Sequence, residues 1–334
     1  MRCSQKQLKI FDLDATSDLS NDVRAIGHWV RTNSNLKDTH HIIIKRILEG
    51  EVHFLQPDPF LNGLQEALQD WPNDCATLIM GDVNLKENIT KWYAGHETRV
   101  VPFECLSMPL ALLKRTQEYD VNKAIPKPKE YEQKYKKFIC LNAAAKPHRA
   151  KLVCHLIDNE GHEGYISWLN RYGKLPEKHF VGSKFKGEEM LLDFNGSNID
   201  KDNNQDILPI NYHYAGFEIV QESIVSDTSL FVTEKTWKPL FYNKIFIPHG
   251  PRGLIKWLES LGFESFTELY DTSFDSLPYK ERYEGLKTQI EKLLKFGAID
   301  WVDIYKDPDI RKKLEHNAQL ARTMHVDGWE KHFK

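Results

Sequence analysis

The stretch Phe217-Glu-Ile-Val-Gln-Glu-Ser223, followed by Phe231-Val-Thr-Glu-Lys-Thr-Trp-Lys-Pro239, decides how the rest of the chain is read. An apolar strand ends at Glu222-Ser223. A polar connection follows, and the chain re-enters a short apolar run at Leu230-Phe-Val232. Pro239 lacks an N–H and clashes one turn back, so the pattern predicts a helix beginning close to Thr236–Lys238, with Pro239 in its first turn. Glu234 and Lys235 then lie at a strand-to-helix junction. Ligands of open α/β sheets bind in the crevice beyond the strand ends. A helix N-terminus there favours phosphate.

A second cation source lies earlier. Phe138-Ile-Cys-Leu141 reads as a strand and runs into Asn142-Ala-Ala-Ala-Lys-Pro-His-Arg149. The small residues let backbone approach a ligand, and Arg149 falls near the start of the next helix. Arg149 and Lys235 can therefore converge on one anion from neighbouring strand ends, Arg as a fork and Lys as a point charge. His148 stands beside Arg149, and Lys238 reads as a solvated cation at a helix start. Trp237, Phe241, Tyr242 and Phe246 read most simply as core between helix and strand.

Strands are expected at Leu8-Lys-Ile-Phe11, Glu51-Val-His-Phe-Leu55, Thr77-Leu-Ile-Met80 and Arg99-Val-Val-Pro-Phe103, with amphipathic segments at 62–71 and 110–119. Beyond residue 138 the alternation restarts. Further strands are expected at 164–168, 217–221 and 244–248, and helices at 254–261, 279–296 and 308–324. Tyr283, Leu286, Ile290, Leu293 and Leu294 form one stripe of the second of these helices. Short apolar runs alternating with helical patterns predict an α/β fold. Between the halves, residues 121–137 carry two prolines and many lysines, a stiff solvated connection. The domains expected are 1–120, a linker at 121–137, and 138–334, the last helix being able to pack back on the first domain. Residues 182–206 read as an insertion or loop.

The 334 residues leave room for two domains. With 41 % apolar residues, 17 Phe, 13 Tyr and 8 Trp, the chain is neither disordered nor low in complexity. No run approaches the length of a membrane span; the strongest, His41-Ile-Ile-Ile44, is bracketed by His40 and Lys45. The segment Met1-Arg-Cys-Ser-Gln-Lys6 lacks the apolar core of a signal peptide, so a cytoplasmic location is expected. The five cysteines (Cys3, Cys75, Cys105, Cys140, Cys154) form no C-x-x-C pair. That argues against a disulfide framework or a zinc site. There is no H-E-x-x-H motif and no close pair of histidines at helical spacing, and His40-His41 would point to opposite faces of a strand. A net charge of −3 gives no electrostatic reason for a nucleic-acid partner.

The E-S…F-V-T-E-K-T-W-K-P segment resembles the nucleotide-sugar signature of fucosyltransferase-like glycosyltransferases of the GT-B type. The pattern of that group is E-N-S…Y-V-T-E-K; here Glu222-Ser223 lacks the intervening Asn. Ile245-Phe-Ile-Pro-His-Gly-Pro251 and the L-x-x-L-G-F-E-S-F-x-E-L-Y-D run at 258–271 are similar to phage- and virus-encoded members. Asn142 through Arg149 resembles the strand–Asn–…–Arg element of the same domain. The resemblance spans roughly residues 138–275. It implies two Rossmann-like domains facing a cleft, the second holding a sugar nucleotide and the first the acceptor. Carried over by position, Arg149 and Lys235 would bind the donor diphosphate. Glu234 would hold the sugar and Glu222 the nucleoside or its ribose, with Asn142 and Ser223 in the same donor site. No cofactor and no obligatory metal are implied. The acceptor is a hydroxyl of a glycan, a protein or a hydroxymethylated DNA base, and a virus-encoded protein would work in the host cytoplasm.

An inverting transfer needs a base on the face opposite the leaving group. Strand-end candidates are Asp12, Asp82 and Glu104; Asp82 follows Gly81, where backbone can approach a ligand. A competing pattern is Lys9-Ile-Phe-Asp-Leu-Asp-Ala-Thr16. It has the strand–D-x-D-x-T form of a haloacid-dehalogenase-type phosphohydrolase with Asp12 as nucleophile, Asp14 beside it and Asp82 as a later metal carboxylate. A short D-x-D can also be the metal clamp of a GT-A glycosyltransferase. The remaining alternative is a sugar-nucleotide-binding protein with a degenerate site.

Overall fold

The computed structural model describes residues 7–13, 19–46, 63, 66–68, 71, 76–80, 99–102, 135–170, 173–192, 212 and 214–323. The fold is α/β with two parallel sheets, and the described residues fall into two compact units. Among them no helix is long and apolar enough to cross a membrane. The expected strand at 51–55 and the segment at 110–119 lie outside the described residues, as do most of 62–71 and of the linker at 121–137.

The first unit holds strands β1 (Gln7–Leu13), β2 (His40–Arg46), β3 (Ala76–Met80) and β4 (Arg99–Pro102), ordered β1-β2-β3-β4 and all parallel. Residues 226–232 belong to this unit by their contacts. Helix α1 (Leu19–Thr32), not among the helices expected from sequence, connects β1 to β2 and buries Ile26 and Val30. Its Trp29 meets Phe11 edge-on at 5.9 Å. On β2, His41 is buried and His40 is not, the alternation a strand imposes.

The second unit contains β5 (Lys136–Cys140), α2 (Pro147–Glu160), β6 (Gly164–Ile166), β7 (Ala215–Gln221), α3 (Glu234–Phe241), β8 (Phe246–His249), α4 (Leu254–Ser260), α5 (Tyr279–Leu293), α6 (Ala298–Lys306) and α7 (Pro308–Thr323). All four strands are parallel, in the order β6-β5-β7-β8. Every residue of β7 is buried, as a central strand covered on both faces must be. α5 buries Tyr283, Leu286, Ile290 and Leu293 at helical spacing. α6, also without a counterpart in the sequence reading, brings Trp301 onto Gly216, where a Cβ would lie 2.6 Å from the indole. The same ring lies 5.3 Å from Phe217. Trp237, Phe241, Tyr242 and Phe246 are all buried. Cys140 and Cys154 are free thiols.

Strand order positions the site. From β5 the chain leaves through α2 towards β6 on one side, and from β7 it leaves through α3 towards β8 on the other. The carboxyl ends of the adjacent strands β5 and β7 therefore flank a topological switch point, where loops diverge and open a crevice.

Candidate functional site

At the β5 end, Cys140 leads through Leu141–Lys146 into α2, whose first residue is Pro147, with the φ a first helical turn requires. Arg149 sits in that turn, 1 % exposed, and points across to β7. Its Nε donates to Glu222 O at 3.3 Å, Nη1 to Ala144 O at 3.2 Å and Nη2 to Ser223 Oγ at 3.5 Å. Two neighbours reinforce the crossing. Lys146 Nζ donates to Ser223 O at 3.0 Å, and His148 Nε2 lies 3.0 Å from Glu222 O. Burial holds the His148 imidazole down to about 3, so it is neutral and Nε2 carries the proton given to that carbonyl.

At the β7 end, α3 starts at Glu234 with Thr233 as its N-cap. This is two residues earlier than the sequence pattern suggests, and Pro239 lies inside the helix rather than in its first turn. Glu222 supplies the reason. Its carboxylate, fully buried, accepts from Thr233 N (3.1 Å), Thr233 Oγ1 (2.6 Å), Thr236 Oγ1 (2.6 Å) and Ser223 N (3.1 Å). A carboxylate at a helix N-terminus satisfies orphan donors and complements the helix dipole. That nucleates the helix at Glu234 in spite of the missing Pro239 N–H.

Lys235 Nζ donates to Ser223 Oγ at 3.4 Å, to Thr233 Oγ1 at 3.3 Å and to Glu234 Oε1 at 2.6 Å. Arg149 and Lys235 thus meet on one serine hydroxyl, close enough to act on one anion. Lys235 keeps 20 % of its side chain exposed, whereas Glu234 keeps 7 %. Burial alone would raise the Glu234 carboxyl, but the Lys235 ammonium and its hydrogen bond, with the Lys238 charge and a backbone hydrogen bond, together hold the group below the ordinary range. Its second oxygen, Oε2, is buried without a hydrogen-bond partner among the described residues.

Asn142 is also buried, one step back from the cations. Its Oδ1 accepts from Gln221 Nε2 at 3.0 Å and its backbone N–H donates to Ser167 Oγ at 2.9 Å, tying the ends of β5, β6 and β7 together. Lys238 is not a solvated cation. It is 7 % exposed; burial raises the Glu218 carboxyl and the Lys238 charge only partly opposes that, while at Glu234 the same charge helps to hold the carboxyl down.

Arg149, Glu222, Ser223, Glu234 and Lys235 therefore come together, with Asn142 behind them. Asp82, Glu104 and Asp14 lie outside the described residues, and Asp12 is placed only as a backbone position of β1, paired with Lys45. Lys146, Thr233 and Thr236 join the site without being among the residues expected there from sequence. The i, i+3 threonines flanking Glu-Lys were visible, but their common partner is eleven and fourteen residues away.

The arrangement at the switch point of the parallel sheet is the part-exposed Lys235 and Lys146 around the Ser223 hydroxyl, with Arg149 buried behind it and the buried carboxylates of Glu222 and Glu234 beside it. It can hold an anion and orient a hydroxylated group beside it. Among the described residues no group of three His, Cys, Asp or Glu side chains could hold a metal ion. No family model, curated protein or solved structure matches the chain.

Proposed function

We propose that this chain is a glycosyltransferase that moves a sugar from a nucleotide-sugar donor to a hydroxyl acceptor without an obligatory metal. The observation that carries the reading is the shared contact of Arg149 Nη2 and Lys235 Nζ with Ser223 Oγ at the switch point. In the reaction the acceptor oxygen bonds to the anomeric carbon as the bond from that carbon to the diphosphate oxygen breaks. The electron pair leaves on the diphosphate, so the rim must stabilise growing negative charge. Lys235, the more exposed cation, meets the diphosphate directly together with Ser223 Oγ. Arg149 acts from behind Ser223 as a buried charge. At about 4 Å a unit-charge pair is worth about 4 kcal/mol at an intermediate dielectric.

Glu234 Oε2, a bare buried acceptor, suits a hydroxyl of the donor sugar. Glu222 acts through Thr233 and Thr236 as a positioning residue rather than as a ligand, because both of its oxygens are engaged. In this reading the two parallel-sheet units are the Rossmann-like halves of a GT-B enzyme. The base that takes the acceptor proton comes from the first half, with Asp82 ahead of Glu104.

Calorimetric titration with GDP-, UDP- and CMP-sugars, with and without EDTA, tests the reading. Submillimolar, EDTA-insensitive binding that is lost in both Arg149→Ala and Lys235→Ala supports it. Absence of binding across the panel sinks it.

A further inference from the structure

A cavity of about 610 Å³ opens along the outer face of α2, the face opposite the one Arg149 buries. His148, Lys151, Cys154 and Asp158 of α2 line it together with Lys178 and with Tyr279 from the start of α5. The volume lies in the range of small-molecule sites.

Its chemistry is specific. Lys151 Nζ is held 3.8 Å from the Tyr283 ring centroid. Asp158 already accepts from Ser183 Oγ at 3.0 Å and Lys184 N at 2.7 Å. The cavity therefore favours an anionic ligand with a flat apolar part for the Tyr279 ring. Behind Tyr279 lies His249, 2 % exposed, its ring inclined 16° to the phenol and 5.6 Å from the His148 ring. Gln221 gives its amide N–H to Asn142 and Cys140, so its Oε1 accepts from His249 Nδ1 at 3.2 Å. Nε2, across the ring from Gln221, is left as a buried lone pair with no partner among the described residues. It calls for an N–H or O–H donor.

We infer that this cavity receives the nucleoside of the donor, its base against Tyr279 and its phosphates leaving past His148 towards Ser223. The inference rests on the transferase reading. His148 joins the two regions, because its ring lines the cavity while its Nε2 touches Glu222 O. Glu222 cannot hold the nucleoside itself, being buried with both oxygens engaged. Lys151 and Lys178 attract the anion.

The test titrates the full chain with ADP, GDP, CDP, UDP and inorganic pyrophosphate. At least one nucleoside diphosphate should bind more tightly than pyrophosphate. Tyr279→Ala should weaken it about tenfold, the usual worth of a base–aromatic stack. Lys178→Glu, at an exposed position of the 3-10 turn Glu177–His179, should weaken it about fivefold by charge reversal at the rim. Tyr279→Ala should bind pyrophosphate as the parent does, Lys178→Glu should weaken pyrophosphate as well as the nucleoside diphosphates, and Lys235→Ala should weaken every ligand. The inference is overturned if both cavity variants bind the nucleoside diphosphates within about twofold of the parent, or if no nucleoside diphosphate outbinds pyrophosphate. A parallel transfer assay separates the two readings. Transfer with insensitive cavity variants removes the nucleoside site alone; sensitive binding without transfer removes the transferase reading alone.

Discussion

Thr236 Oγ1 donates a 2.6 Å hydrogen bond to Oε1 of Glu222, joining the first turn of α3 to the end of β7 fourteen residues earlier. The two residues are both fully buried, so this contact fixes where the helix begins and thereby where Lys235 stands.

Glu222→Ala should destabilise the second unit by about 3 kcal/mol or more. It strands several buried donors, each costing roughly 1–3 kcal/mol when unsatisfied. Thr236→Val, which removes one donor and keeps the shape, should cost only about 1 kcal/mol. Urea unfolding of both variants checks the order. Equal effects would mean that Glu222 does not organise the helix start.

Under the proposed transferase function, Lys235→Ala should leave the fold intact and lower transfer about 100-fold or more, the scale of losing one charge-stabilising group. Without the ammonium, burial dominates at Glu234 and its carboxyl should titrate higher than in the parent. Carbon-detected NMR titration reads that shift. A Glu234 carboxyl unmoved by the substitution would contradict the pairing.

His148 and His249 predict acid sensitivity. Burial lowers both imidazoles, His148 to about 3 and His249 well below its ordinary value. Between the folded pKa and about 6.5, the unfolded chain binds more protons than the folded one. Their stabilisation is thus complete above about pH 6.5 and declines as the pH falls, by up to about 1.4 kcal/mol per pH unit for each ring. Glu218 works in the opposite sense. Burial raises its carboxyl to about 7, so its proton uptake favours the folded state as the pH drops. The readout is therefore the difference between parent and His148→Gln. The variant should lose less stability between pH 7 and 5, and identical slopes would refute the assignment.

Gly216→Ala should destabilise the second unit by about 1–3 kcal/mol. The added methyl would meet three indole atoms of Trp301 at 2.6 Å, and the ring, itself fully buried, has nowhere to retreat. Tryptophan fluorescence during thermal unfolding measures the loss. An unchanged midpoint would mean that α6 shifts freely over the sheet.

Local chemistry made much of this architecture legible. The alternation of Val, Ile and Phe runs with helical stripes foretold β1, β3, β4, β5, β7, α4, α5 and α7, because period and β-branching report which backbone buries an apolar face. The convergence of Arg149 and Lys235 was also foreseeable, since neighbouring parallel strands end side by side. What the chain could not show by itself depends on partners distant in sequence. The start of α3 follows from a carboxylate in another element overriding a proline. Glu222 looks like a ligand as a letter in a motif, yet four hydrogen bonds make it a strut. Lys238 looks like a solvated cation until the core closes over it. Sequence determined the α/β class and which cations could meet, because periodicity and residue chemistry are local. Only the tertiary structure decided which polar groups remain available to a ligand, because availability is set by burial and by hydrogen bonds across strands.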